Sequence, residues 1–296
     1  MSKLNTILVA TDLSDASLVA VSRGLNLAEQ HHLECTILHV IPRELMFDLE
    51  RLAGRSGSTL ERDATERQTR ELNSNVRAML EGRHLNVHTR IRCGQPAEEI
   101  SEQAREDQAE LIVVSSQGQG AVKRMLVRST TMGVLHDSPC PVLVVRSPDK
   151  QTYRKVILAI DFSDASNPLM QVALQYAPDA HFVMMHRLEA PFDDMQRLAR
   201  LDTAQVDTYR QAAQNQAAEQ LDALARSHGL QRESYSIEVV SEHDRHALLS
   251  VSRQAPWDLI VTGKHGHHVT RDRLLGSFTQ SVLAHAECDV LVIQPR

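Results

Sequence analysis

Short aliphatic runs, spaced by longer stretches of mixed polarity, set the rhythm of this chain. In its first half the runs Thr6–Ala10, Thr36–Val40, Val87–Ile91, Leu111–Val114 and Val142–Val145 read as continuous rather than alternating. That pattern suits strands covered on both faces, hence a parallel sheet. Between them the spacing predicts helices from Ser17 to Gln30, Thr59 to Glu81, Ala97 to Glu106 and Thr130 to His136. The second half keeps the order, with strands Val156–Ile160, Phe182–Met185, Ser236–Val240, Leu259–Thr262 and Val290–Ile293. Its longest helix is expected from Thr203 to Ser227, where Val206, Tyr209, Ala213, Ala217, Leu221 and Leu224 recur at helical spacing. Alternating strand and helix predicts an α/β fold, a doubly wound, five-stranded parallel-sheet sandwich in each half.

The halves also repeat in wording. Ile7-Leu8-Val9-Ala10-Thr11-Asp12-Leu13-Ser14-Asp15-Ala16-Ser17 is echoed by Ile157-Leu158-Ala159-Ile160-Asp161-Phe162-Ser163-Asp164-Ala165-Ser166 after a one-residue adjustment. Ser138-Pro139-Cys140-Pro141-Val142-Leu143-Val144-Val145-Arg146 is echoed by Glu287-Cys288-Asp289-Val290-Leu291-Val292-Ile293 at nearly the same offset. A whole domain has therefore been duplicated. The polar, Pro-containing stretch Ser147-Pro148-Asp149-Lys150-Gln151 separates expected domains 1–147 and 152–296. A length of 296 residues fits two domains of ordinary size.

Composition narrows the function classes. A 42% hydrophobic and 24% charged content is that of a globular chain. A formal charge of -6 supplies no basic field for nucleic acid, and 3% aromatics leave no platform for stacking bases. No apolar run approaches membrane-spanning length, and Met1-Ser2-Lys3 leads straight into the first strand, so a cytoplasmic location is expected. Cys35, Cys93, Cys140 and Cys288 form no CxxC pair, and are expected to be reduced and structural.

The chemistry concentrates near the C-terminus. After the strand-like run Asp258 to Thr262 come Gly263-Lys264-His265-Gly266, nine residues, then Gly276-Ser277 and a helical pattern from Phe278. Spaced glycines between a strand and a helix bring bare backbone N–H groups up to an anion such as a phosphate. Open parallel sheets bind ligands beyond the carboxyl ends of their strands where strand order reverses, between the first and fourth strands. Asp161 closes the first strand of the second half, and a carboxylate there can accept two ribose hydroxyl hydrogens; its plainer role is an N-cap or turn residue.

With these residues in place, the chain resembles the universal stress protein family over nearly its whole length, as two tandem Rossmann-like domains of the adenine nucleotide alpha hydrolase-like type. The carriers are the first-strand Asp with its Ser-Asp-Ala-Ser, the glycine loop and the closing Pro-Cys-Pro-Val-Leu-Val-Val phrase. The family's ATP-binding branch has the form Gly-x2-Gly-x9-Gly-Ser/Thr, matched by Gly263, Gly266, Gly276 and Ser277. The resemblance implies ATP, with Mg2+, as ligand of the second domain. Asp161 would face the adenosine, the loop glycines the phosphates, and Ser277 a phosphate oxygen; Ala159, Ile160, Thr262, His265 and Phe278 complete the expected site. It also implies that the two fifth strands pair antiparallel as an intramolecular pseudo-dimer, with homodimerisation a further expectation. The expected role is a stress-response regulator with unidentified protein partners. A slow ATPase or autophosphorylating enzyme, or a nucleotide-free interaction scaffold, are the alternatives.

Departures from the pattern bear on both halves. The first half reads Ser115-Ser116-Gln117-Gly118, nine residues, then Arg128-Ser129, so two glycines have become Ser115 and Arg128. Side chains there occupy space a phosphate needs, although Arg128 can itself reach an anion. The first domain is thus expected to have lost ATP binding, leaving Asp12 a turn residue. In the second half the family's His-Val pair, as in His39-Val40, becomes His186-Arg187, and Gly94-Gln95-Pro96 is answered by Glu242-His243-Asp244. His243, His246, His265, His267 and His268 follow no metal-ligand spacing; phosphate contact by His265 or His267, or a pH-sensitive loop surface, is expected instead. Lys264, Arg271 and Arg273 either add charge to a triphosphate site or stay solvated. No Walker Gly-Lys-Ser/Thr, Gly-x-Ser-x-Gly or His-Glu-x-x-His sequence is present, so no catalytic residue is expected.

Overall fold

A computed structural model describes residues 6–47, 57–116, 129–146, 152–188, 202–240, 256–264 and 275–294. Its contacts divide into two compact units, one gathering Met1–Gln151 with Asp289–Gln294, the other Thr152–Asp272 with Gly276–Cys288. Each has the alternating, mostly parallel α/β build of a Rossmann-like domain.

In the first unit, β1 (Thr6–Thr11) lies parallel between β2 (Glu34–Pro42) and β4 (Leu111–Ser115), with β3 (Val87–Gly94) beyond β2 and β5 (Val142–Val145) beyond β4. Strand order therefore reverses beside β1, and a crevice opens between the carboxyl ends of β1 and β4. Helix α1 (Asp15–His31) starts where Ser14 caps the Ser17 N–H and Asp15 complements the positive helix end. It buries Ala20, Val21, Leu25 and Ala28. Gly24 lies so close to the sheet that a methyl group there would overlap Val9 Cγ2. Helices α2 (Gly57–Met79), α3 (Pro96–Asp107) and α4 (Ser129–Asp137) follow in order.

The second unit repeats the plan. Strand β6 (Lys155–Ala159) is flanked by β7 (His181–Arg187) and β9 (Leu259–Gly263), and β8 (Tyr235–Val240) pairs with β7, all parallel. Its helices are α5 (Ser166–Tyr176), α6 (Thr203–Ser227) and α7 (Ser277–His285). Asp202 and Gln205 close a reciprocal capping box that fixes the start of α6. The last strand, β10 (Asp289–Ile293), counts with the first unit, pairing antiparallel to β5 in the register Leu291↔Leu143.

The central strands are buried on both faces, as their apolar runs require. β3 departs from that expectation: half-buried and exposed positions alternate from Val87 to Arg90. Among the described residues it pairs with β2 alone and so lies at an edge; its exposed alternate positions give it one wet face, and Arg92 on it reaches Glu99, Glu102 and Glu106. Charged side chains along an outer strand discourage pairing with another chain. β8 is likewise largely half-buried.

No disulfide joins the four cysteines. Burial pushes the Cys35 and Cys140 thiols up to about 12 from an ordinary 9.0. A raised folded-state value means that the fold favours the neutral thiol. The stability this contributes is complete below pH 9 and is lost as pH rises from 9 towards 12. Urea midpoints are expected to fall across that window. Iodoacetamide on the folded protein at pH about 8 is expected to label half-buried Cys93 well ahead of Cys35 and Cys140.

Candidate functional site

The carboxyl edge of the second unit assembles from three short segments. Ala159 ends β6 opposite Thr262 on β9, which brings the segment after β6, with Asp161, and the end of β9, at Gly263, to the same edge of the sheet. Ile160 stays buried and donates its N–H to Met185 O at 2.8 Å, which carries the sheet one residue further. Asp161 Oδ1 then accepts from Ser163 N at 3.0 Å, Ser163 Oγ at 2.6 Å and, more weakly, Ser166 Oγ at 3.5 Å. This Asx turn carries Phe162 at φ 57, a left-handed conformation that is costly for a bulky side chain. Among the described residues every hydrogen bond to the Asp161 carboxylate goes to Oδ1.

The opposite wall is the start of α7. Gly276 is its N-cap, buried, and provides no side-chain cap. Its N–H meets Lys264 O at 2.9 Å, which draws together the two ends of the intervening loop. Thr279 Oγ1 donates to Gly263 O at 2.7 Å and ties the first turn of the helix to the end of β9. The N–H groups of this first turn lack intrahelical acceptors, as at any helix start, and carry the positive end of the helix dipole. Ser277 is exposed, Phe278 half-buried and Thr262 buried. Gly276 has φ -55 and ψ 146, and Gly263 is a strand residue, so neither glycine is needed for a left-handed backbone. What each supplies is the absence of a side chain.

Lys264 is buried rather than solvated. His265 and Gly266 lie outside the described residues, as do Arg271, Arg273, His243, His246, His267, His268 and the Glu242-His243-Asp244 turn. Arg187 sits half-buried at the end of β7, next to His186, whose Nδ1 donates to Ile160 O at 2.8 Å. Phe162 was not foreseen as a contributor: its ring lies 4.4 Å from that of His186 and packs against the buried cluster Leu188, Val206 and Ala217. Its only signal in the sequence was the change from Leu13 to Phe162 between otherwise matching phrases.

The first unit builds the same framework. Asp12 Oδ1 accepts from Ser14 N at 3.2 Å and Ser14 Oγ at 2.5 Å, Leu13 has φ 63, His39 Nδ1 donates to Thr11 O at 2.8 Å, and Thr131 Oγ1 donates to Ser115 O at 3.1 Å. At its carboxyl edge lies a cavity of about 410 Å³, bounded by the ends of β1, β2 and β4 and by α2, α3 and α4. Sequence reasoning had placed the ligand in the other half. The walls of this cavity come from residues far apart in the chain.

A duplicated framework of this kind has a family-level counterpart. The model of the universal stress protein family matches residues 3–146 and again 152–294. The chain belongs to the universal stress protein family. A universal stress protein of Mycolicibacterium smegmatis is 28% identical over 98% of this chain and 97% of its own length. A single-domain-length universal stress protein of Methanocaldococcus jannaschii is 30% identical over 49% of this chain and 84% of its own. The crystal structure of a universal stress protein from Archaeoglobus fulgidus shares the fold across 99% of both chains, with TM-score 0.65 at 20% identity. In universal stress protein terms the chain is a tandem, two-domain member. No helix among its described residues is long and apolar enough to cross a membrane.

Proposed function

We propose that the C-terminal repeat, residues 152–296, binds ATP with Mg2+ at the edge formed by β6, β9 and α7, and that the chain acts as a regulator whose state follows nucleotide occupancy. The observation that carries this reading is the pair Gly263 and Gly276. Both sit where the backbone conformation admits any residue, and both are bare where a strand end meets an uncapped helix start. Main-chain N–H groups of Ser277 and Phe278 would hold phosphate oxygens, with the Ser277 hydroxyl as a further donor. Asp161 Oδ2 would accept a ribose hydroxyl while Oδ1 keeps the turn. Mg2+ would neutralise part of the phosphate charge. In this reading the residues of the edge bind and orient the nucleotide.

The test is a melting experiment with MgATP. At a ligand concentration one hundred times Kd the protein gains about 2.7 kcal/mol, a rise of several degrees. Asp161→Asn keeps an acceptor at Oδ1 and removes the second carboxylate oxygen. It is expected to leave the ligand-free melting temperature nearly unchanged and to weaken ATP binding about tenfold. An unchanged ATP affinity in Asp161→Asn would take the ribose role away from this residue. No thermal shift with wild type would remove the nucleotide reading.

A further inference from the structure

We propose that Phe162 is a positioning residue for Asp161: its ring, seated against His186 and α6, holds the left-handed turn that orients the Asp161 carboxylate. Where this bears on a bound ligand it rests on the nucleotide reading above; where it bears on the turn itself it does not. Both repeats follow their first strand with the same turn, and in both a bulky residue takes a left-handed conformation, Leu13 at φ 63 and Phe162 at φ 57. Such a conformation persists only where the surroundings over-determine it.

The two units hold this turn by different means. In the first, the Leu13 N–H donates to Thr11 Oγ1 at 3.0 Å, and that hydroxyl is fixed in turn by Ser17 Oγ at 2.8 Å. The residue matching Thr11 in the second unit is Ile160, which has no hydroxyl to offer. There the side chain of Phe162 takes over. Its ring centroid lies 4.4 Å from that of His186, and His186 is anchored to the same short segment through Nδ1, which donates to Ile160 O at 2.8 Å. The ring also packs against the buried cluster of Leu188, just after β7, with Val206 and Ala217 of α6. The two bonds from Ser163 to Asp161 Oδ1 span residue 162, so they close only while its backbone keeps the left-handed conformation. Residues of α6, remote in sequence, thereby set the orientation of the carboxylate.

The experiment is amide hydrogen exchange by NMR on the full chain, read at Ser163, with Ser14 of the matching turn as internal control. Phe162→Ala removes the seated ring and keeps the backbone cost, so the Ser163 N–H is expected to exchange about tenfold faster, with Ser14 and the amides of β6 at wild-type rates. Val206→Ala, a milder change on α6 that leaves every turn residue in place, is expected to speed Ser163 about threefold. MgATP affinity supplies a second readout. Phe162→Ala is expected to weaken it about fivefold in wild type and to weaken Asp161→Asn no further, since the loss runs through the carboxylate. Ser163 exchange at the wild-type rate in both single variants would overturn the proposal. So would an equal loss of affinity from Phe162→Ala in wild type and in Asp161→Asn. A wild type that binds no MgATP would remove the nucleotide reading alone, and Ser163 exchange would still decide what holds the turn.

Discussion

Gly276→Val is expected to remove ATP binding while leaving the protein folded. The backbone at Gly276, φ -55 and ψ 146, is one that valine adopts readily, so the substitution brings no conformational strain. It does place two methyl groups at the cap of α7, over the N–H groups of Ser277 and Phe278. Hydrogen bonds to charged groups are worth about 1.5–3 kcal/mol each, so pushing a phosphate off two of them costs about 3 kcal/mol or more. That is a loss of at least about 100-fold in affinity. Calorimetric titration of MgATP into wild type and variant, with urea midpoints as a check on folding, measures it. Retained affinity would show that the phosphates are not held at this helix start.

The largest effect on stability is expected from Asp289→Ala. Asp289 opens β10, is fully buried, and meets Arg23 Nε of α1 at 3.3 Å while accepting the Arg146 N–H at 2.8 Å. Arg23 is itself only 3% exposed. Removing the carboxylate leaves a guanidinium in a site with little water, a change that costs about 3–5 kcal/mol. The paired change Arg23→Met, Asp289→Leu removes both charges and is expected to recover most of the loss, because replacing a buried ion pair with apolar groups is often neutral. Urea unfolding of the single and double variants checks this. A single variant within about 0.5 kcal/mol of wild type would show that Arg23 finds solvent or another anion.

The position of this ion pair marks a limit of local sequence reading. The closing strands were legible as apolar runs, and Asp289 stood in the place of Pro141 within the repeated phrase. Nothing near Asp289 in sequence pointed to Arg23, which lies on the helix expected from Ser17 to Gln30. The central strands β1, β2, β4, β6, β7 and β9 were legible because strands buried on both faces leave continuous aliphatic runs. β3 was misread as such a strand, although its alternating Val-His-Thr-Arg carries the period of a strand with one wet face.

The site was legible in the same uneven way. Asp161, Gly263, Gly276 and Ser277 lie at strand and helix ends, where residue type and order carry the geometry directly. The turn role of Asp161 could not be told in the sequence from the proposed ligand role, since both call for the same residue at the same place; in the structure the turn uses Oδ1. The cavity of the first unit was missed for a different reason. It depends on where Met46, Gln68, Ile100 and Val114 meet, and no local pattern encodes that meeting.

Native mass spectrometry of freshly purified protein, before and after addition of MgATP, tests the nucleotide reading most directly. One nucleotide per chain is expected on wild type, and none on Gly263→Val, Gly276→Val. Equal occupancy of the two proteins, or a wild type that stays ligand-free at saturating MgATP, would contradict it.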